Sequence, residues 1–74
     1  MFPYKYVIRQ DVVADEEGTE YTVWGVDLFE NGALLESVPD VFFEREKAEY
    51  YIGLFNELEL DPIHLYDVIE DILG

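Results

Sequence analysis

The chain has 74 residues, half of them hydrophobic and 16% aromatic, with 18 acidic against 4 basic residues and a formal net charge of −14. Direct nucleic-acid binding needs cationic groups that displace phosphate counterions, and adsorption to an anionic membrane needs a polybasic segment. The small number of basic residues disfavours both kinds of binding. No stretch approaches the ~20 apolar residues of a membrane span. The charge either favours a basic protein partner or serves solubility alone.

The cysteine count and the first residues bear on fold and compartment. There is no cysteine, so neither a disulfide nor a thiolate metal site is available, and an apolar core must hold one domain over residues 1–74. The N-terminal sequence MFPYKYVIRQD turns polar too early for a signal peptide. We therefore expect a cytoplasmic protein.

Three strands are predicted in the first half of the chain. Apolar and polar residues alternate over residues 4–13, and residues 21–30 are rich in aromatic and β-branched side chains. The dipeptide Asn31-Gly32 favours a two-residue hairpin turn, so a third strand over residues 33–38 runs back with Leu28 opposite Leu35. Pro39 is expected to end the sheet.

Two helices are predicted in the second half. Residues 43–59 carry an apolar stripe at helical spacing, formed by Ala48, Tyr51, Ile52, Phe55 and Leu58. Gly53 within it suggests close packing against the sheet. Asp61-Pro62 is a good start for a second helix over residues 62–73, because Asp caps and Pro suits the first helical position. Its stripe is Leu65, Val68, Ile69 and Ile72.

The element order β-β-β-α-α predicts an α+β fold, in which a three-stranded antiparallel meander packs two helices on one face. The core face of the sheet is expected to hold Tyr6, Ile8, Trp24, Val26, Leu28 and Leu35. The opposite face, here called the reverse face, is left to solvent and is unexpectedly apolar. It provides a candidate partner surface: Val7, Val23, Phe29, Leu34 and Val38.

The only histidine, His64, precedes a group of carboxylates on the second helix. His64, Asp67 and Asp71 fall on one stripe, which suits a divalent metal or an acid/base pair in type but supplies at most three ligands. The alternative is structural: Asp61 caps the helix and the acidic residues face solvent. We favour the structural interpretation, and we predict no catalytic, metal or cofactor-binding residue and no enzyme activity. The candidate acidic surface consists of His64, Asp67, Glu70 and Asp71.

Three stretches carry a resemblance: YKYVIRQ, the aromatic-Gly-Val of Trp24-Gly25-Val26, and the terminal DPIHLYDVIEDILG. With these the chain resembles a family of small, uncharacterised Gram-positive bacterial proteins known only as a domain of unknown function. The resemblance implies no established activity, catalytic residue or cofactor, and it makes His64 and Asp67 motif positions. In that family a serine or threonine precedes the first helix. Phe43 takes this place here, so Asp40 is expected to serve as the cap.

The leading functional hypothesis is a small acidic protein–protein interaction module that is not an enzyme. Its partner would be a protein, basic in one version and a second copy joined through the sheet in the other. The alternative is a nucleic-acid mimic of the phage or anti-defence type, which inhibits a basic nucleic-acid-binding protein. Ordered carboxylates would then imitate phosphates; the candidates are Glu44, Glu49, Glu57, Glu59, Asp67, Glu70 and Asp71.

Overall fold

The computed structural model describes residues 1–74. A three-stranded antiparallel sheet in the order β1-β2-β3 is followed by two helices, which confirms the predicted α+β arrangement. The elements are β1 (Tyr4–Ala14), β2 (Glu20–Glu30), β3 (Ala33–Phe42), α1 (Arg45–Glu57), a 3-10 turn (Pro62–His64) and α2 (Leu65–Leu73).

The β2–β3 turn forms as predicted, but the register changes directly after it. Asn31 and Gly32 both have positive φ, 49° and 84°, and Glu30 pairs with Ala33. A bulge at Leu28/Phe29 then places Leu28 opposite Glu36, so the predicted Leu28–Leu35 pair is wrong. One extra residue on β3 reverses the faces of the residues that follow it. Leu35 is 53% exposed and does not belong to the core.

The third strand is longer than predicted because a second bulge carries it past Pro39. β3 continues to Phe42, which pairs with Trp24, and the irregularity lies opposite Gly25. A Cβ on Gly25 would lie 2.1 Å from the Val38 carbonyl oxygen, so only glycine admits this backbone approach. As an edge strand, β3 tolerates a proline that a central strand would not. The prediction that Pro39 ends the sheet is wrong.

The start of α1 also differs from expectation. Asp40 belongs to β3 with φ 58°, so it does not cap the helix. The N-cap is Glu44, whose side chain makes no capping hydrogen bond. The second start is as predicted: Asp61 Oδ1 accepts a hydrogen bond from the Ile63 N–H at 3.1 Å, and Pro62 follows. The residues after this cap form a 3-10 turn first, and the α-helix begins at Leu65.

The core lies between the sheet and both helices. It is formed by Tyr6, Val26, Leu28, Val41, Phe42, Ala48, Ile52, Phe55, Leu65 and Ile69. The predicted stripe of the second helix is confirmed, since Val68 and Ile72 pack against this cluster. Two expectations for α1 are wrong: Leu58 is 69% exposed because the helix ends at Glu57, and a Cβ on Gly53 would meet no atom within 4 Å.

One side chain of α1 forms hydrogen bonds with the β1 edge of the sheet. Asn56 Oδ1 accepts from the Tyr6 N–H at 2.8 Å, and Asn56 Nδ2 donates to the Tyr6 carbonyl at 2.8 Å. The Tyr6 hydroxyl donates to the Leu60 carbonyl at 2.6 Å, and burial raises the pKa of Tyr6 to about 12. The amide of Asn56 therefore takes the place of a neighbouring strand at this one residue.

Candidate functional site

The reverse face of the sheet holds only part of the candidate partner surface. Phe29 pairs with Lys5 on one side and Leu34 on the other, so these three side chains form one row across the sheet. Leu34 is exposed and Phe29 is half-buried. Val7 is 36% exposed and lies opposite Asp27, so the next row is already polar.

The other two residues of that candidate surface are not exposed on the reverse face. Val23 is 0% exposed, and the bulge of β3 passes over Gly25, two residues further along the same face. Val38 pairs with Val26 and packs against the core, so it lies on the helix-covered face. The bulge at Leu28/Phe29 moves Val38 to that face, because it shifts every later residue of β3 by one. The five residues therefore do not form one patch.

The centre of the reverse face is a hydrogen-bonded ionic cluster. Arg9 Nε lies 2.7 Å from Asp11 Oδ2, and Arg9 Nη1 lies 3.6 Å from Asp27 Oδ1. Ser37 donates a hydrogen bond from its hydroxyl to Asp27 at 2.7 Å. Without the bulge, Glu36 would lie opposite Asp27 and the two carboxylates would repel each other. The hydrogen bond that Arg9 donates to Asp11 is the main reason that the pKa of Arg9 is raised. This cluster divides the apolar positions and makes the reverse face polar at its middle.

The candidate acidic surface is exposed on α2. His64 ends the 3-10 turn, and its main-chain N–H donates to the Asp61 carbonyl at 2.9 Å. The side chains of His64, Asp67, Glu70 and Asp71 are all exposed and make no hydrogen bond within the chain. No group of three or more His, Cys, Asp or Glu side chains is placed to hold a metal ion.

Apolar side chains lie beside these carboxylates. Ile63 is 77% exposed, Tyr66 50% and Leu73 60%. At helical spacing Tyr66, Glu70 and Leu73 form one outward stripe of α2, and Asp67 and Asp71 form the adjacent stripe. The Tyr66 hydroxyl donates to the Glu36 carboxylate of β3, and this hydrogen bond raises the pKa of Tyr66. Here the outward surface of α2 means these five residues with Ile63 and His64.

A groove that the sequence did not indicate lies next to the end of α2. Its volume is about 370 Å³, and it runs between the end of β3, the start of α1 and the last residues of α2. The lining is mostly apolar, with one acid and one base: Val41, Phe42, Phe43, Glu44, Lys47, Ile72 and Leu73. The sequence signal for this groove was Phe43, an aromatic residue at the position where a serine or threonine was expected before the first helix. Its side chain is exposed. The groove depends on the length of β3, which the sequence predicted too short.

The four basic residues leave most carboxylates without a cation. Arg45 Nε lies 2.8 Å from Glu49 Oε1, and Lys47 Nζ lies 3.8 Å from Glu44 Oε2. With the pairs of Arg9 to Asp11 and Asp27, only four of the 18 acidic residues have a salt-bridge partner. None of these four lies on α2.

Comparison with known proteins gives a family but no activity. Neither of the two helices has the length and apolar character to cross a membrane. Searches of curated proteins and of solved structures find no match to the chain. A family model described as a family of unknown function (DUF6514) matches residues 1–74. The chain therefore belongs to this family of unknown function, in agreement with the resemblance of its strand and C-terminal motifs.

Proposed function

We propose that the protein is a small, acidic, non-enzymatic protein–protein interaction module of the cytoplasm, and that its outward α2 surface binds a basic protein. The observation that carries this proposal is that the C-terminal part of the chain carries charges of one sign only. Residues 48–74 contain seven acidic residues and no lysine or arginine. A surface of one sign raises the local concentration of oppositely charged partners and speeds their association.

The positions of the charges add support, because they oppose helix stability. Asp67 and Asp71 are four residues apart and repel each other, and Glu70 and Asp71 lie in the last turn, where the helix dipole disfavours negative charge. Each penalty is a few tenths of a kcal/mol. Lysine or arginine side chains of a partner, placed beside these carboxylates, would offset the repulsion and the dipole penalty together.

Apolar neighbours make this surface more than a solubilising one. Protein interfaces combine an apolar centre with a polar rim, and aromatic residues are enriched in their centres. Tyr66, Leu73 and Ile63 provide exposed apolar area among the carboxylates. Tyr66 is also held by its hydrogen bond to Glu36, so less side-chain freedom is lost when a partner covers it.

The nucleic-acid mimic remains an alternative proposal with a stricter requirement. It needs carboxylates in ordered rows that follow phosphate spacing. Of its seven candidate residues, Glu44 and Glu49 are paired with Lys47 and Arg45. The other five divide between the end of α1, with Glu57 and Glu59, and α2. A basic patch on an ordinary protein partner makes no such demand on spacing, and for this reason it is preferred.

The test is recovery of bound proteins from a lysate of the source cells by the tagged chain at low and high salt. The proposal expects a partner that is retained at low salt and lost at high salt. The triple variant Asp67→Asn, Glu70→Gln, Asp71→Asn should lose it at low salt as well. The matched control is Glu16→Gln, Glu17→Gln, Glu20→Gln, which changes the net charge equally at the far β1–β2 turn and should keep the partner. Equal recovery by both triple variants would contradict the proposal.

A further inference from the structure

One segment of the sheet edge is neither interrupted nor covered, and its two charged side chains, Arg9 and Asp11, are opposite in sign. The β3 edge is interrupted by two bulges and Pro39, and the β1 edge is covered at Tyr6 by Asn56. Beyond Tyr6, β1 continues to Ala14 with no bulge or proline. Natural proteins usually interrupt, charge or cover such an edge, since it can pair with another strand.

The outward-facing groups of this segment follow from the Asn56 contact. The N–H and C=O of Tyr6 both bond to Asn56, so the main-chain groups of Tyr6 point away from β2. Because the direction alternates along a strand, Ile8, Gln10 and Val12 also present their N–H and C=O groups outward. None of the three takes part in a main-chain hydrogen bond outside the sheet ladder. We call residues 8–12 the free edge.

The sequence around the free edge is complementary to itself when it is reversed. Residues 7–13 read VIRQDVV, and Gln10 is at their centre. Reversal exchanges Arg9 with Asp11, Ile8 with Val12, and Val7 with Val13. We propose that a second copy of the chain pairs here, β1 antiparallel to β1, about a two-fold axis through Gln10. The two sheets then form one six-stranded sheet.

The pairing is consistent with the direction of the main-chain groups. In an antiparallel pair, hydrogen-bonded positions must both face the partner strand. The register about Gln10 joins Ile8 to Val12 of the second copy, Gln10 to its equivalent, and Val12 to Ile8 of the second copy. All of these are outward-facing residues, and each pair exchanges two N–H···O bonds. Asn56 covers Tyr6 and so ends the pairing at Ile8.

Side chains match on both faces of this register. On the helix-covered face, Val12, which is 61% exposed, meets the half-buried Ile8 of the second copy. On the reverse face, Arg9 of each copy meets Asp11 of the other, and Val7 meets Val13. Within one chain Arg9 already lies 2.7 Å from Asp11. The dimer therefore forms a row of alternating charges, and opposite charges across a strand pair are stabilising.

Net charge directs the contact to the same place. β1 is the only strand or α-helix with a net positive charge, since it holds Lys5 and Arg9 against Asp11. The rest of the molecule is acidic and repels a second copy. Salt screens that repulsion with a Debye length of about 8 Å at physiological ionic strength. Self-association should therefore strengthen with salt, whereas binding of a basic protein weakens.

The first experiment measures sedimentation and amide hydrogen exchange on the purified chain from micromolar to about 1 mM protein. The proposal expects a monomer–dimer equilibrium and concentration-dependent protection of the Ile8, Gln10 and Val12 amides. The Tyr6 amide should be protected at every concentration because Asn56 covers it. A monomer throughout this range, or a dimer in which the three amides stay unprotected, would overturn the proposal.

Variants at the two-fold axis give a second test. Gln10→Pro removes an outward-facing N–H without removing a hydrogen bond to β2, and it should raise the dissociation constant at least about tenfold. Gln10→Thr keeps the N–H and should dimerise like the parent chain. A Gln10→Pro chain that is folded by circular dichroism and still dimerises would overturn the proposal.

Charge reversal tests the register itself. Asp11→Arg and Arg9→Asp should each fail to self-associate, because like charges then face each other. An equimolar mixture should form a heterodimer, in which both cross-strand pairs are again opposite in charge. If the mixture stays monomeric while both variants are folded, the register is wrong. The triple variant of α2 should dimerise normally, so failure of the dimer and failure of the basic-partner proposal are distinguishable.

Discussion

Replacement of Asn56 by alanine tests how α1 is attached to the sheet. The change removes two hydrogen bonds of 2.8 Å, one from the Tyr6 N–H and one to the Tyr6 carbonyl. A net contribution of ~1 kcal/mol per bond gives a loss of about 2 kcal/mol in the free energy of unfolding. In a domain of this size that corresponds to a fall in Tm of roughly 8–16 °C. Since natural domains are stable by only ~5–15 kcal/mol, this loss is a large fraction.

The assay is thermal and urea unfolding followed by circular dichroism, with Glu57→Ala as the matched control. Glu57 is the next residue of α1, is exposed and makes no salt bridge, so its replacement should change stability by less than ~0.5 kcal/mol. The Asn56→Ala chain should also lose protection of the Tyr6 amide from hydrogen exchange. Stability within ~0.5 kcal/mol of the parent chain, with the Tyr6 amide still protected, would refute the role given to Asn56.

Three further predictions concern the bulge, the buried tyrosine and the histidine. Gly25→Ala should destabilise the chain by about 3 kcal/mol or more, because its Cβ would lie 2.1 Å from the Val38 carbonyl oxygen; a Tm within a few degrees of the parent would contradict this. Tyr6 has a pKa of about 12 in the folded chain against about 10 when unfolded, so its contribution is complete below pH ~10 and is lost as pH rises toward 12. Tyr6→Phe lacks the hydrogen bond to Leu60 and should be less stable than the parent at pH 7. It should lose less stability than the parent as pH rises from ~10 toward 12. Equal slopes of Tm against pH for the two chains would contradict this role of the Tyr6 hydroxyl. Titration with zinc or manganese should give neither heat nor a shift in Tm, whereas a shift abolished by His64→Ala would revive a metal site.

The fold was predictable where local patterns act alone. Alternation predicted β1, aromatic and β-branched residues predicted β2, Asn31-Gly32 predicted the turn, and Asp61-Pro62 predicted the start of the last helical segment. Each of these signals depends on neighbouring residues and the intrinsic preferences of their backbone. The predicted helix stripe of α2 was right for the same reason, since one clear apolar face can pack in only one direction.

The third strand could not be predicted because its course depends on a contact between strands. The bulges opposite Gly25 and beside Leu28 are set by how β3 crosses β2, and no local pattern in residues 33–42 indicates either one. Their effects reach the candidate site directly. Val38 turns inward and Val23 is buried, so the predicted apolar patch does not exist as one surface. Leu35, which was predicted on the core face, turns outward.

The residues of the two proposed surfaces divide in the same way. The exposure of His64, Asp67, Glu70 and Asp71 followed from helical spacing. The contact between Asn56 and Tyr6 was not foreseen, since it joins residues 50 positions apart. That contact shows which main-chain groups of β1 face outward, and hence where the free edge lies. Local sequence patterns therefore predicted the acidic surface of α2 but not the free edge of β1.

Recognition of a basic protein by the carboxylates of α2 can be tested by comparing three chains. The parent chain, the α2 triple variant and the β1–β2 turn triple variant are each used to recover bound proteins from lysate at low salt. We expect one basic partner that the parent and the turn variant retain and the α2 variant loses. Recovery of the same partner by all three chains, or by none, would contradict it.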